Sequence, residues 1–252
     1  AKSLVLLGDP QQLDQPLCGS HPPGADRSAL AHLLAGEATM PTTLGLFLKG
    51  TCRLHPRICA YTSEVFYDGR LTPEPGQERQ RVVGTGLLDG TGIRYVPVRH
   101  VGNDKDSAEE AQEVSRLVRA LLGAGGHWID AEAKPHPIRL EDVLVITPYN
   151  AQARTIAEIF PGIRVGTVDK FQGQEAPVSI YSMATSSAEE APRGMEFLYN
   201  LHRLNVATSR ARCLAVVLAS PELIRVRCHT PRQMRLANAF ARLVEMGEQS
   251  LC

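Results

Sequence analysis

The sequence predicts an α/β fold, a mostly parallel sheet covered by helices on both faces. Two observations predict it. Short apolar runs recur along the chain with helical patterns between most of them, which is the signature of βαβ units. The longest run, Leu214-Ala-Val-Val-Leu-Ala219, is rich in Val and Leu and reads as a buried strand.

The elements follow in order. Apolar runs place strands at residues 3–7, 44–48, 93–98, 143–147, 164–168, 178–183 and 214–219. A helix is expected over 28–34 and another over 56–66. The clearest helix, 107–122, opens with the capping box Ser107-x-x-Glu110. It carries Val114, Leu117, Val118 and Leu121 on one stripe and stops at Gly123. Helices over 151–160 and 200–209 come next. The last is capped by Thr230, has Pro231 at its first position, and runs to Gly247. The Pro/Gly-rich stretches 16–24, 72–92 and 123–137 read as loops or insertions, and a domain break is expected at 39–43.

Composition narrows the function classes. At 252 residues, with 43% hydrophobic and 21% charged residues, the chain is that of an ordinary globular protein with a full core. No apolar stretch approaches the roughly 20 residues of a membrane-spanning helix. The chain begins in mid-strand without Met, as a piece of a longer protein would. Its six cysteines include no Cys-x-x-Cys pair and no secretory signal precedes them, so reduced thiols in a cytoplasmic protein are expected. Eight scattered histidines predict no metal site. Net charge is zero, yet residues 193–242 hold nine arginines against Glu196 and Glu222. Such a basic third attracts phosphates while the whole stays neutral.

Polar motifs sit at the carboxyl ends of several predicted strands, where parallel sheets bind ligands. Gly8-Asp-Pro-Gln-Gln-Leu13 places Gln12 to hydrogen-bond a phosphate or an attacking water. Thr51-Cys-Arg-Leu-His-Pro56 puts Arg53 at a strand-to-helix junction, where its rigid fork reaches a phosphate. Val165-Gly-Thr-Val-Asp-Lys-Phe-Gln-Gly-Gln-Glu175 forms a polar turn in which Gly173 lets backbone amides approach phosphate, and Glu175 accepts from a ribose hydroxyl. Thr147, Asn150 and Gln152 are short polar groups suited to a sugar–phosphate backbone. In 201–212, Arg203, Ala207 and Arg210 share a helical face.

The ordered set Gly-Asp-x-x-Gln-Leu, Arg-Leu-His-Pro, Thr-Pro-Tyr-Asn-Ala-Gln, Val-Asp-x-Phe-Gln-Gly-Gln-Glu and Arg-Leu-Asn-Val-Ala-Thr-Ser-Arg-Ala-Arg resembles motifs III to VI of superfamily 1B helicases. The run 192–213 is similar to bacterial proteins that join a RecB-like nuclease to such a helicase. The resemblance implies RecA-like domains: residues 1–40 as the tail of the first and 41–252 as the second. It implies ATP and Mg²⁺ held mainly by the first domain, and single-stranded nucleic acid, DNA ahead of RNA, with 5′-to-3′ movement. It implies Gln12 as the γ-phosphate sensor and Arg53 and Arg210 as arginine fingers. Gly173, Gln174 and Glu175 would lie on the nucleotide, and Thr147, Asn150 and Thr167 on the nucleic-acid backbone.

Two departures qualify the resemblance. Cys52 stands where such enzymes often place an adenine-stacking aromatic. No Gly-x-x-x-x-Gly-Lys-Ser/Thr occurs, nor the Asp-Glu that should precede motif III, so the chain alone is expected not to turn over ATP. Two other readings remain open: a RecA-like scaffold without catalysis, and a helicase acting on RNA.

Overall fold

The computed structural model describes residues 3–13, 22, 24–25, 27–123 and 125–249. In chain order the strands are β1 (Gly50–Thr51), β2 (Thr72–Pro73), β3 (Arg81–Val83), β4 (Gly92–Pro97), β5 (His127–Ile129), β6 (Pro135–Pro137), β7 (Val143–Thr147), β8 (Arg164–Thr167), β9 (Ala176–Ser182) and β10 (Ala211–Ala219). The helices are α1 (Ala29–Leu34), α2 (Pro56–Phe66), α3 (Ala108–Leu121), α4 (Asn150–Ile159), α5 (Met195–Leu198), α6 (Leu201–Ser209) and α7 (Pro231–Gln249).

The central sheet is wholly parallel, in the order β4-β10-β9-β7-β8. The two-residue period of its strands decides how both faces are covered. Leu144, Ile146, Tyr181, Ala215 and Val217 face a core shared with α2, α6 and α7. Their alternates Val143, Val145, Val178, Ile180, Leu214 and Val216 face a second core with Val114, Leu117, Val118 and Leu121 of α3 and Ile156 of α4. Both faces being dry explains the unbroken apolar runs. The fold is α/β, a parallel sheet covered by helices on both faces, as the sequence predicts.

Four expectations are corrected. Residues 3–7 and 44–48 form no strand: they have no pairing partner, and Leu4, Leu7, Leu46 and Leu48 stand 74%, 94%, 90% and 83% exposed. The stretches 72–92 and 123–137 are more than loops. β3, β5 and β6 from these two stretches pair into an antiparallel sheet, with Trp128 stacked on His136 at 4.6 Å. Their glycines fall in the turns between short strands, which hides the strand pattern. The capping box is half made: Ser107 Oγ accepts from the Glu110 N–H at 3.1 Å, but the Glu110 carboxylate turns inward and is fully buried. Finally, α7 passes through Gly247, where a Cβ would come within 2.7 Å of the Tyr95 backbone nitrogen. That glycine serves close packing on β4 and does not stop the helix. Residues 16–21 and 23 of the first expected loop, with Cys18 and Cys252, lie outside the described residues.

Candidate functional site

Arg53 follows β1, Glu175 precedes β9, and Arg212 lies at the start of β10. Glu175 and Arg212 stand together at the amino ends of the neighbouring strands β9 and β10, and Arg53 reaches them from the separate two-stranded sheet. This cluster is therefore not at the carboxyl ends where the sequence places its motifs. Arg53 Nε donates to Glu175 Oε2, and Nη1 to the Ser209 carbonyl at 3.4 Å. Arg212 Nε donates to Glu175 Oε1 at 3.0 Å, so one carboxylate is held by two guanidiniums. All three side chains are about one-third exposed.

Arg210 sits beside them as the C-cap of α6 and is only 1% exposed. Its fork is committed on three sides: Nε to the Val206 carbonyl at 3.3 Å, Nη1 to the Gln174 carbonyl at 3.1 Å, and Nη2 to Gln12 Oε1 at 2.8 Å. Burial, with the nearby Arg53 charge adding to it, lowers its pKa to about 10, which leaves it charged at neutral pH. Burial pushes the Glu175 carboxyl up, but hydrogen bonds from Arg53 and Arg212 outweigh it and hold it below the usual carboxylate range.

Residues 9–13 are docked on this cluster. Tyr67 Oη donates to Asp9 Oδ2 at 2.5 Å, and Gln12 Nε2 donates to the same oxygen at 2.9 Å. Asn205 Nδ2 donates to the Gln11 carbonyl at 2.8 Å and to Tyr67 Oη at 3.2 Å. Tyr67 and Asn205 are absent from the sequence-derived site. Asn205 stands inside the quoted Arg-Leu-Asn-Val-Ala-Thr-Ser-Arg-Ala-Arg run, which is the one signal that marks it, while Tyr67 lies outside every quoted motif.

Three arginines face Glu175 and Asp9, leaving one uncompensated positive charge. A buried guanidinium is costly without an anion. The patch attracts anions, but its guanidinium donors are engaged by Glu175, backbone carbonyls and Gln12, so a bound phosphate would displace those contacts.

The other sequence-derived residues divide. Asn150 is exposed as the first residue of α4, and Thr167 is half-buried at the end of β8. Gly173 has φ +79° and open space where a Cβ would lie. The side chain of Gln174 is spent on Arg164 and the Lys170 carbonyl. Thr147 is fully buried with its hydroxyl near the Tyr149 amide at 3.5 Å, so the structure does not bring it to the surface. Gln152 is also fully buried, accepting from Ser107 N at 2.8 Å and donating to Ser182 Oγ at 2.9 Å. Its role is to tie α3, α4 and β9 together. Glu110 joins that network through Ser182 Oγ at 2.6 Å, the Ala184 amide at 2.9 Å and His100 Nε2 at 3.0 Å. Arg203 does not join Arg210. It lies over the Phe197 ring, because α6 ends before residue 210.

Among the described residues, no group of three or more His, Cys, Asp or Glu is placed to hold a metal ion. None of their helices is long and apolar enough to cross a membrane.

Comparison with known proteins adds the relatives. Residues 26–222 match the family described as AAA domain. The chain is 29% identical over 232 residues to DNA polymerase alpha-associated DNA helicase A of Schizosaccharomyces pombe, covering 83% of this chain and 32% of that one. It is 29% identical over 251 residues to Regulator of nonsense transcripts 1 homolog of Arabidopsis thaliana, covering 88% and 18%. It is 27% identical over 201 residues to Probable RNA helicase armi of Drosophila melanogaster, covering 69% and 16%. The chain thus spans about a third or less of the length of these relatives.

Proposed function

The chain belongs to the AAA domain family, and on that premise we propose that it is the C-terminal motor half of an ATP-dependent superfamily 1 helicase or translocase. The observation that carries the reading is the convergence of Gln12, Arg53, Arg210 and Glu175 on one patch from four distant parts of the chain. A scaffold needs none of them together. Relatives named as helicases support it.

In this reading residues 3–49 pack with a preceding RecA-like domain, which holds the nucleotide. The uncovered apolar rows at 3–7 and 44–48 support that assignment and carry it past residue 40. ATP with Mg²⁺ supplies the phosphoryl group whose transfer releases the energy. The protein's own part is electrostatic. Arg53 and Arg210 bring fixed positive charge to the transferring phosphoryl group, Gln12 senses it through its contact with Arg210, and Glu175 exchanges its arginine partners for a ribose hydroxyl. Asn150 and Thr167 contact the strand. The likeness of residues 192–213 to nuclease–helicase fusions extends the proposal to a RecB-like partner domain.

DNA with 5′-to-3′ movement is the substrate that the motif resemblance implies. RNA is supported by the name of the armi relative. Unwinding of matched duplexes with DNA or RNA tails of either polarity, by the chain joined to a phosphate-loop domain, tests both. Absence of unwinding and translocation on every tail would remove the motor reading.

A further inference from the structure

The carboxyl ends of the strands, opposite the amino ends of β9 and β10 where the arginine cluster sits, carry a second basic feature. Gly194, at φ +74°, turns the chain into α5 and sets Arg193 over the ring of Phe197, with its guanidinium carbon 3.8 Å from the centroid. Arg203, from α6, approaches the same ring at 4.5 Å. The ring is half-buried and lies 5.6 Å from that of Tyr149, the residue before exposed Asn150. Lys170 stands on the neighbouring turn after β8.

Packing alone does not account for this. A cation on an exposed ring is worth roughly 0.5–1 kcal/mol, and one arginine would supply it. A second guanidinium on the same ring is repelled by the first. The carboxylate within ion-pair distance of Arg203 is Asp169, 3.5 Å away and 61% exposed. Arg193 has none among the described residues. A stacked guanidinium can present the N–H groups along its edge to oxyanions. Arg193 is exposed, while Arg203, 17% exposed, already donates from Nη1 to Asp169 and would exchange that partner. Anions seated one at each edge relieve that repulsion.

We infer that Arg193 and Arg203, aligned on Phe197, grip consecutive phosphates of a single-stranded nucleic acid passing Asn150 at the carboxyl ends of β7 and β8. This rests on the nucleic-acid reading above and names residues that it leaves out. The grip reads backbone charge, so it accepts ribose and deoxyribose strands alike.

The test is fluorescence anisotropy of the chain with labelled oligothymidylate and oligouridylate over a range of salt. Arg193→Ala/Arg203→Ala is expected to weaken binding by about tenfold or more and to reduce the log–log salt slope by about 1.4, at roughly 0.7 per lost phosphate contact. Arg193→Lys/Arg203→Lys should restore most of the slope, and matched thermal melts show that the variants fold. Phe197→Leu should weaken binding with little change in slope. If the wild type binds and Asn150→Ala weakens it, while the double alanine variant keeps full affinity and slope, the grip is refuted and the nucleic-acid reading stands. If the wild type binds neither strand in a salt-dependent way, the underlying reading fails and takes the grip with it.

Discussion

The guanidinium of Arg210 and the side-chain amide of Gln12 meet at 2.8 Å although 198 positions separate them in the chain. The contact joins the docked segment 9–13 to the end of α6. It makes the orientation of Arg210 depend on where that segment sits. A buried arginine held by two carbonyls and one amide oxygen has little freedom, so any ligand that pulls on Gln12 is felt at the guanidinium.

Arg210→Ala is therefore expected to abolish ATP hydrolysis in a protein that carries a phosphate-binding loop in cis, with ATP affinity little changed. The group acts on transition-state charge, and an arginine finger is worth on the order of 10³–10⁵ in rate. Arg210→Lys should not rescue it, because a single ammonium cannot hold Val206, Gln174 and Gln12 in one plane. Steady-state turnover with nucleotide titration checks this, and normal turnover in the alanine variant would end the assignment.

On its own the chain is expected to show no ATPase activity above background, since the sequence holds no Gly-x-x-x-x-Gly-Lys-Ser/Thr to cradle phosphates. Turnover by the purified chain that disappears in Arg210→Ala would show instead that these residues form a complete site.

Most of the central sheet was legible in the sequence because its strands are dry on both faces and leave continuous apolar runs. Residues 143–147 and 56–66 match the observed elements end to end. The same signal misled at 3–7 and 44–48, since apolarity records a need for burial and does not say which body supplies it. The small sheet of β3, β5 and β6 was hidden because three-residue strands between glycine turns have no period to read. At the site, residue types marked Arg53, Arg210 and Glu175. Their mutual contacts were invisible, as was the double clamp that Arg53 and Arg212 place on Glu175. Thr147, at the end of β7, and Gln152, in the first turn of α4, were misread because a buried polar group looks in sequence like an exposed one.

Tyr67→Phe should loosen the docked segment. It removes the donor to Asp9 and an acceptor for Asn205. The expected cost is about 1–3 kcal/mol, the range for leaving an enclosed polar group unpaired. Amide exchange at Gln11 and Gln12 should rise in step. Unchanged protection there would show that the segment is held by other contacts.

Acid should weaken the fold through His55. Burial, with the Arg57 charge adding to it and contacts with Glu78 opposing, lowers its pKa to about 4. The folded chain thus keeps this imidazole neutral where the unfolded chain protonates. The resulting stability is complete above about pH 6.5 and is lost as the pH falls towards 4. There is a structural reason as well: His55 Nδ1 accepts the Arg57 amide at 3.1 Å and caps α2, which a protonated nitrogen cannot do. His55→Asn retains a capping acceptor and does not titrate. Melting temperatures between pH 7 and 4.5 should fall by less in that variant than in the wild type. Equal slopes would remove His55 from the account.

The apolar rows at 3–7 and 44–48 yield opposite expectations in two settings. In the chain alone, Leu46 and Leu48 are 90% and 83% exposed and have little packing to lose. Leu46→Ser/Leu48→Ser should leave the melting temperature within a degree or two, while lowering dye binding to exposed apolar surface and self-association. In a protein that supplies the preceding domain, the same side chains would be buried, each contributing roughly 1.5–3 kcal/mol. The double substitution should then lower the melting temperature and ATP turnover together. Harmlessness in both settings would mean that these residues face solvent throughout, and would remove the packing argument for assigning 3–49 to another domain. Loss of stability in the chain alone would mean that the rows are already covered here, contrary to the exposure seen.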